Sequence, residues 1–105
     1  MTHFPDRQHA FEAGFAQNEE MLFRVLARRN KLLGEWAARL MNLSEEEAEA
    51  YSKDLVRADF EGGGGKDVVL KLLGDLTAAG VDIDESRIRD ALKHKLVEAR
   101  RQLIG

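Results

Sequence analysis

The stretch ADFEGGGGKD at 58–67 holds four glycines and a lysine, residue types that surround a nucleotide in phosphate-binding loops. In the G-x-x-x-x-G-K-[ST] pattern, glycines let backbone N–H groups face the phosphates, the lysine contacts the outer phosphates and the hydroxyl binds magnesium. With Gly65 and Lys66 as the GK pair, the first glycine should stand at position 60 and the hydroxyl at 67. Phe60 and Asp67 occupy these positions, and no β-branched strand precedes the loop. We therefore interpret the glycines as a flexible connector between two helices.

The histidines also give no pattern typical of catalysis. His3 and His9 are six residues apart, so on a helix they lie on different sides and cannot share a metal ion. His94 has Asp90 four residues before it and Glu98 four residues after it, but a solvated charged stripe is the commoner role of such a row. Since no set of nucleophile, base and orienting group is visible, we expect no enzyme activity and no metal site.

A third candidate is the basic cluster in the segment 27–31, which contains Arg28, Arg29 and Lys31. Arg29 falls near the apolar stripe of its helix. It could pair with an acid of the next helix or contact a phosphate group, and we favour the ion pair because the next helix is acidic. The three bases are the only plausible phosphate site in the sequence, and we expect no cofactor.

Composition excludes several classes of protein. The chain has 105 residues, enough for one modest core, and its formal net charge of -3 argues against a nucleic-acid-binding protein. Cysteine is absent, so disulfides and thiolate chemistry are excluded. The N-terminus lacks the basic and apolar regions of a signal peptide, and no apolar run approaches the roughly 20 residues of a spanning helix. We expect a cytoplasmic protein that does not insert into the membrane and is a monomer when free.

The positions of the apolar residues predict an all-α protein, a four-helix bundle with a long first helix and a mobile N-terminal segment. The first helix is predicted over 6–41, the second from Ser44 to the glycines, the third over 67–79 and the fourth from Asp84 to about 103. Ser44 and Glu47 form a capping-box pattern, Gly80 is a typical C-terminal stop, and Asp84 is a typical N-cap. The apolar positions of the first predicted helix are Phe11, Phe15, Leu22, Leu26, Leu33, Trp36 and Leu40, and those of the second are Ala48, Tyr51, Leu55, Val56, Ala58 and Phe60. Those of the third are Val68, Val69, Leu72, Leu73 and Leu76, and those of the fourth are Ile88, Leu92, Leu96 and Ala99.

The N-terminal segment 1–19 is predicted to bind a partner, and 20–105 to form the bundle. Phe4, Phe11 and Phe15 lie on a helix far longer than the others, where a bundle of ordinary length gives them no neighbours. An apolar stripe on a helix weakened by Gly14 is typical of a segment that folds on a partner. In the alternative, the segment folds back and its phenylalanines join the core. A membrane is a poor partner, because residues 1–20 hold one base against four acids.

Several stretches in order along nearly the whole chain resemble one known family. They are AF at 10–11, ARRNKLLGEWAA at 27–38, EAYSKDLVRADFE at 49–61, DVVLKLLGDL at 67–76 and IRDAL at 88–92. The chain looks like the zeta-subunit family, the ATPase inhibitor of alphaproteobacterial F-type ATP synthases. The resemblance implies a regulatory inhibitor, peripheral to the inner membrane through the synthase.

In that family the N-terminal segment inserts into the catalytic headpiece, between alpha and beta subunits and near the gamma subunit, and blocks ATP hydrolysis. Carried over to this sequence, the contact side chains would be Phe4, Arg7, Phe11, Glu12 and Phe15. Gly14 stands where a charged helix former is more usual, which would weaken the helix. The alternatives are an adenine-nucleotide-sensing bundle and a helical adaptor for another protein. Some members of the family are suspected of binding adenine nucleotide, and in this sequence Arg28, Arg29 and Lys31 would then bind ADP or ATP weakly. His3 and His9 add the hypothesis that inhibition depends on pH.

Overall fold

The computed structural model describes the backbone of residues 3–62 and 65–105 and the side chains of residues 19–62 and 65–105. Within these ranges the chain forms four helices and no strand: α1 (His3–Leu40), α2 (Glu45–Gly62), α3 (Gly65–Ala78) and α4 (Glu85–Ile104). The predicted all-α, four-helix fold is confirmed, and the helix bounds differ from the prediction by at most a few residues. Gly63 and Gly64, the centre of the predicted connector, lie outside the described residues.

Local sequence signals end α1 and α3. Asn42 and Gly80 adopt positive φ angles of 58° and 82°. After α1, the N–H of Leu43 donates to the carbonyl of Ala38 at 3.0 Å, and after α3 the N–H of Val81 donates to that of Leu76 at 2.9 Å. These bonds are the Schellman pattern, which satisfies the last carbonyls of a helix. Gly80 therefore ends α3 as predicted.

The predicted capping signals begin α2 and α4. The N–H of Glu47 donates to the Ser44 hydroxyl at 3.2 Å, and the Ser44 N–H donates to the Glu47 carboxylate at 2.9 Å. Asp84 accepts from the N–H of Arg87 at 2.9 Å. Each cap satisfies N–H groups that have no partner within their own helix. The two Ser44 bonds lower the pKa of Glu47 from its usual value.

Removing the cap of α2 has a measurable cost. We expect Ser44→Ala to lower the free energy of unfolding by about 1 kcal/mol, because the hydroxyl that accepts from the Glu47 N–H is lost. The Glu47 contribution is present above its unfolded pKa of about 4.5 and is lost as the pH falls through the lower folded pKa. Urea unfolding at pH 7 and pH 3 measures both effects. Ser86→Ala is the control, since Ser86 is exposed and no hydrogen bond of its side chain is found among the described residues.

The four helices pack in a ring in which each helix contacts the next along the chain and α4 returns to α1. Among the described residues, α1 also approaches α3, whereas the backbones of α2 and α4 are not close to each other. The largest side chains of the core are fully buried and come from all four helices: Leu33, Leu55, Leu72, Leu76 and Ile88. A buried leucine or isoleucine contributes roughly 1.5–3 kcal/mol, so this cluster holds the bundle together.

The structure corrects two residues of the predicted apolar faces. Leu22 is 54% exposed and Phe60 is 69% exposed, whereas Val25, which the stripe omitted, is buried. The buried face of α1 continues through Leu33 to Ala37, at intervals of four residues. The prediction was wrong at Leu22 because it chose the larger apolar side chain, whereas the buried line at intervals of four residues passes through Val25.

Candidate functional site

A buried polar network joins α1 to α2. The Arg29 guanidinium donates to the Asn30 side-chain carbonyl at 3.0 Å and to the Asp59 carboxylate at 3.4 Å. The Asn30 amide donates to the same Asp59 oxygen at 2.7 Å. Arg29 is 6% exposed and Asn30 is 1% exposed. The predicted ion pair between Arg29 and an acid of the second helix is therefore confirmed.

Because the network is buried, the charges of Arg29 and Asp59 stabilise each other. Burial lowers the pKa of Arg29, and the negative charge of Asp59 opposes that shift. The second carboxylate oxygen of Asp59, Oδ1, is buried and has no hydrogen-bond partner in the described part of the chain. A buried charge is tolerated when it is paired, so each of these residues depends on the other.

A close approach of α1 and α2 lies next to the network. A Cβ atom placed on Gly34 would lie 2.6 Å from the backbone Cα of Ser52, well inside van der Waals contact. Ser52 is buried, and its hydroxyl donates to the carbonyl of Lys31 at 3.3 Å. Gly34 is therefore the residue that lets the two helices pack closely at this point.

The outer surface between α1 and α2 is an open groove of about 1060 Å³. Its apolar lining is Phe23, Ala27, Leu43, Ala48, Val56 and Leu103. Its charged lining is Arg24, Arg28, Lys31, Arg39 and Lys53, with Glu35, Glu45 and Glu49. Bases therefore outnumber acids here, although the whole chain has a net charge of -3.

Two ion pairs neutralise part of that charge. Arg24 pairs with Glu20 at 2.8 Å, and Lys53 pairs with Glu49 at 3.4 Å. Among the side chains that the structure describes, no carboxylate lies within 4.0 Å of Arg28, Lys31 or Arg39. This groove, which we call the basic groove, therefore has three bases without an acidic partner among the described side chains, and two acids, Glu35 and Glu45, without a basic one.

A smaller cavity of about 310 Å³ adjoins the basic groove and shares Phe23, Ala27 and Val56 with it. Phe23 and Phe60 form its aromatic edge, with ring centroids 5.5 Å apart and ring planes at 87°. Arg29 and Asp59 also line this cavity. The edge-to-face contact explains how Phe60 is held although most of its surface is exposed.

The structure separates the three bases of the sequence-predicted cluster. Arg28 and Lys31 line the basic groove, whereas Arg29 is in the buried network. Sequence reasoning missed Arg39 and Lys53 as neighbours of the first two. The spacing of 28, 31 and 39 on one helix face was the signal that could have identified Arg39. Lys53 gave no such signal, because its position depends on how α2 packs against α1.

The proposed partner-binding residues Phe4, Arg7, Phe11, Glu12 and Phe15 lie outside the described side chains. Their role therefore stays a prediction, as does the boundary between 1–19 and 20–105. The side chains of His3 and His9 are also outside the described set, so the pH hypothesis stays open to experiment.

Neither a metal site nor a membrane span is found in the described part of the chain. No group of three or more histidine or acidic side chains converges there in a way that could hold a metal ion. His94 is exposed on α4. None of the described helices combines the length and apolar character that crossing a membrane requires.

Comparison with known proteins identifies the family. No curated protein matches the chain. A protein whose structure was determined in solution by NMR is 40% identical, with a TM-score of 0.70, and the match covers 80% of this chain and 95% of that one. The family model for ATPase inhibitor subunit zeta matches residues 1–102. This family consists of regulatory subunits rather than enzymes, and an ATP synthase is the partner it implies. The chain therefore belongs to the family of ATPase inhibitor subunit zeta.

Proposed function

We propose that the N-terminal segment 1–19 of this inhibitor inserts into the catalytic headpiece of an F-type ATP synthase and blocks ATP hydrolysis. The observation that carries the proposal is the length of α1. Its 38 residues extend roughly 57 Å at 1.5 Å per residue, whereas α2 and α4 have 18 and 20 residues. The first buried side chain of α1 in the described part is Val25. The length of α1 beyond that of the other helices supports a role of its N-terminal part in binding a partner.

The mechanism requires no chemistry from the inhibitor. Catalytic subunits open and close during each cycle, and a helix between alpha and beta subunits, near the gamma subunit, stabilises one state against the others. Phe4, Phe11 and Phe15 would supply affinity as apolar anchors. Arg7 and Glu12 would set the orientation of the helix through their charges. The protein would act in the cytoplasm, peripheral to the inner membrane, and would be a monomer when free.

A second candidate function is nucleotide sensing. It is favoured by Arg28 and Lys31, two bases without an acidic partner on an open groove of the described bundle. Phosphate oxygens of ADP or ATP would accept hydrogen bonds from these side chains. In this function the N-terminal segment would be incidental, so its removal would leave nucleotide binding intact.

Deletion of residues 2–19 tests the proposal. We expect the full chain to inhibit ATP hydrolysis by the cognate headpiece and the deleted form to lose inhibition. Phe11→Ala alone should raise the concentration for half-inhibition by about thirtyfold, since a central aromatic anchor contributes on the order of 2 kcal/mol. Gln17→Ala is the matched control on the same segment. The measurement is ATPase activity against inhibitor concentration, at pH 6 and pH 8 to test His3 and His9.

Circular dichroism of the deleted form shows whether the bundle remains folded. A folded, deleted form that inhibits as well as the full chain would refute the insertion mechanism. A full chain without effect on hydrolysis, combined with ADP binding that Arg28→Ala abolishes, would favour the nucleotide sensor.

A further inference from the structure

The basic groove is a feature of the described bundle that the proposed function leaves without a role. It follows α1 from Phe23 to Arg39, which is roughly 24 Å at 1.5 Å per residue. That length corresponds to about four turns of a helix. An open groove of this length between two helices has the shape that an amphipathic helix occupies in helix-in-groove recognition.

The chemistry of the groove favours an acidic occupant. Its lining includes the apolar Ala27, Ala48 and Val56, and it holds five bases against three acids. Among the described side chains Arg28, Lys31 and Arg39 have no acidic partner, and two of the acids, Glu35 and Glu45, have no basic one. Acidic side chains on a partner would be attracted to these bases. A helix without acidic residues would leave Arg28, Lys31 and Arg39 without opposite charges. The chain is acidic overall, so this local surplus of bases is a specific property of one face.

One end of the groove has the features of an anchor site. Phe23 is 54% exposed and lies edge-to-face against Phe60. Large aromatic residues in a partly covered position are typical centres of binding energy at protein interfaces. This end of the groove lies on α1 only a few residues beyond the segment proposed to enter the headpiece. A partner that holds the segment 1–19 is therefore positioned to contact Phe23 next.

We propose that the basic groove is a second docking surface, which binds an acidic amphipathic helix on the exterior of the ATP synthase headpiece. The inference rests on the proposed function, because it assumes that the N-terminal segment brings the bundle to that enzyme. The groove adds affinity by tethering: once the segment is inserted, the groove meets its helix at a high effective concentration. Its bases also attract the acidic partner over distance and speed association.

The test is binding of full-length variants to the isolated cognate headpiece, measured by surface plasmon resonance at low and high salt. Arg28→Glu/Lys31→Glu should weaken binding by roughly tenfold or more at low salt, mainly through slower association. Its affinity should also depend less on salt than that of the unaltered protein. Lys93→Glu/Arg100→Glu makes the same change in net charge on exposed α4 positions that line neither cavity, and it should bind nearly as the unaltered protein does.

The outcomes distinguish the groove from the inserted segment. At saturating concentration the groove variant should inhibit hydrolysis fully, because residues 1–19 are intact. Deletion of 2–19 should abolish inhibition even when the groove is unaltered. Equal binding by the groove variant and the α4 control would overturn the groove proposal and leave insertion standing. No binding by the unaltered protein would overturn both. If the groove variant loses ATP binding but keeps its affinity for the headpiece, the groove is a nucleotide site and the helix proposal is wrong.

Discussion

Replacing Asp59 with alanine is expected to lower the free energy of unfolding by about 3–5 kcal/mol, the cost of leaving a buried charge without its partner. The substitution removes the acceptor that both Arg29 and Asn30 use, at 3.4 Å and 2.7 Å. The Arg29 guanidinium is then left without an ion-pair partner, since no other acid lies within 4.0 Å of it among the described residues. Burial already lowers the pKa of Arg29 even with the carboxylate present, so its surroundings solvate the charge poorly.

Two further variants separate charge from packing at position 59, and a third variant elsewhere on α2 is the control. Asp59→Asn keeps an oxygen for the Asn30 amide and removes the charge, so it should cost less than alanine. Arg29→Met/Asp59→Leu replaces the pair with apolar side chains and should recover most of the lost stability. Asp54→Ala removes an exposed acid of α2 whose contact with Arg57 is 3.9 Å, and it should change stability by less than about 0.5 kcal/mol.

Urea unfolding of this set decides the role of Asp59. If Asp59→Ala unfolds at nearly the same urea concentration as Asp54→Ala, the network does not stabilise the bundle. In that case Arg29 and Asp59 have another role, such as lining the small cavity at Phe23 and Phe60.

The helix boundaries of this fold can be predicted from the sequence because the signals that set them are local. Ser44 with Glu47, Gly80 and Asp84 each act on backbone groups within a few residues, so the pattern alone predicts where the helices begin and end. The resemblance to the zeta family likewise rests on stretches of sequence, and the family match over residues 1–102 confirms it.

The basic groove was not predictable in the same way, because it depends on how two helices face each other. Arg28, Arg29 and Lys31 are neighbours in sequence, yet one of them is buried and the other two line the groove. Periodicity places residues on a helix face but does not fix which neighbour covers that face. Lys53 joins the same groove from α2, and only the packing of α2 on α1 brings it there.

Gly34 lies at the centre of ARRNKLLGEWAA, and sequence alone gives no reason for a glycine there. In a helix interior, alanine is more favourable than glycine by about 1 kcal/mol, so the local preference opposes the residue present. The structure explains this glycine by the close approach of the Ser52 backbone on α2. A residue can thus disagree with local propensity because the contact between two helices requires it.

Gly34→Ala is therefore expected to destabilise the protein by about 2 kcal/mol or more, in spite of its better helix propensity. The added Cβ would lie 2.6 Å from the Cα of Ser52, and backbone cannot rotate away as the end of a side chain can. The helices must move apart, which loosens the packing of Leu33 and Leu55 in the core. Thermal unfolding should show a midpoint lower by roughly 10 °C.

Gly74→Ala is the matched control, because nothing lies within 4 Å of a Cβ placed on that glycine of α3. It makes the same chemical change in a helix and should stabilise the protein by up to about 1 kcal/mol. The opposite signs of the two effects isolate the contact between α1 and α2 from helix propensity. Ser52→Gly/Gly34→Ala should recover only part of the loss, since the contact with the Cα of residue 52 remains. If Gly34→Ala instead raises the unfolding midpoint as Gly74→Ala does, the close approach of the two helices is wrong, and the depth of the basic groove between them is wrong with it.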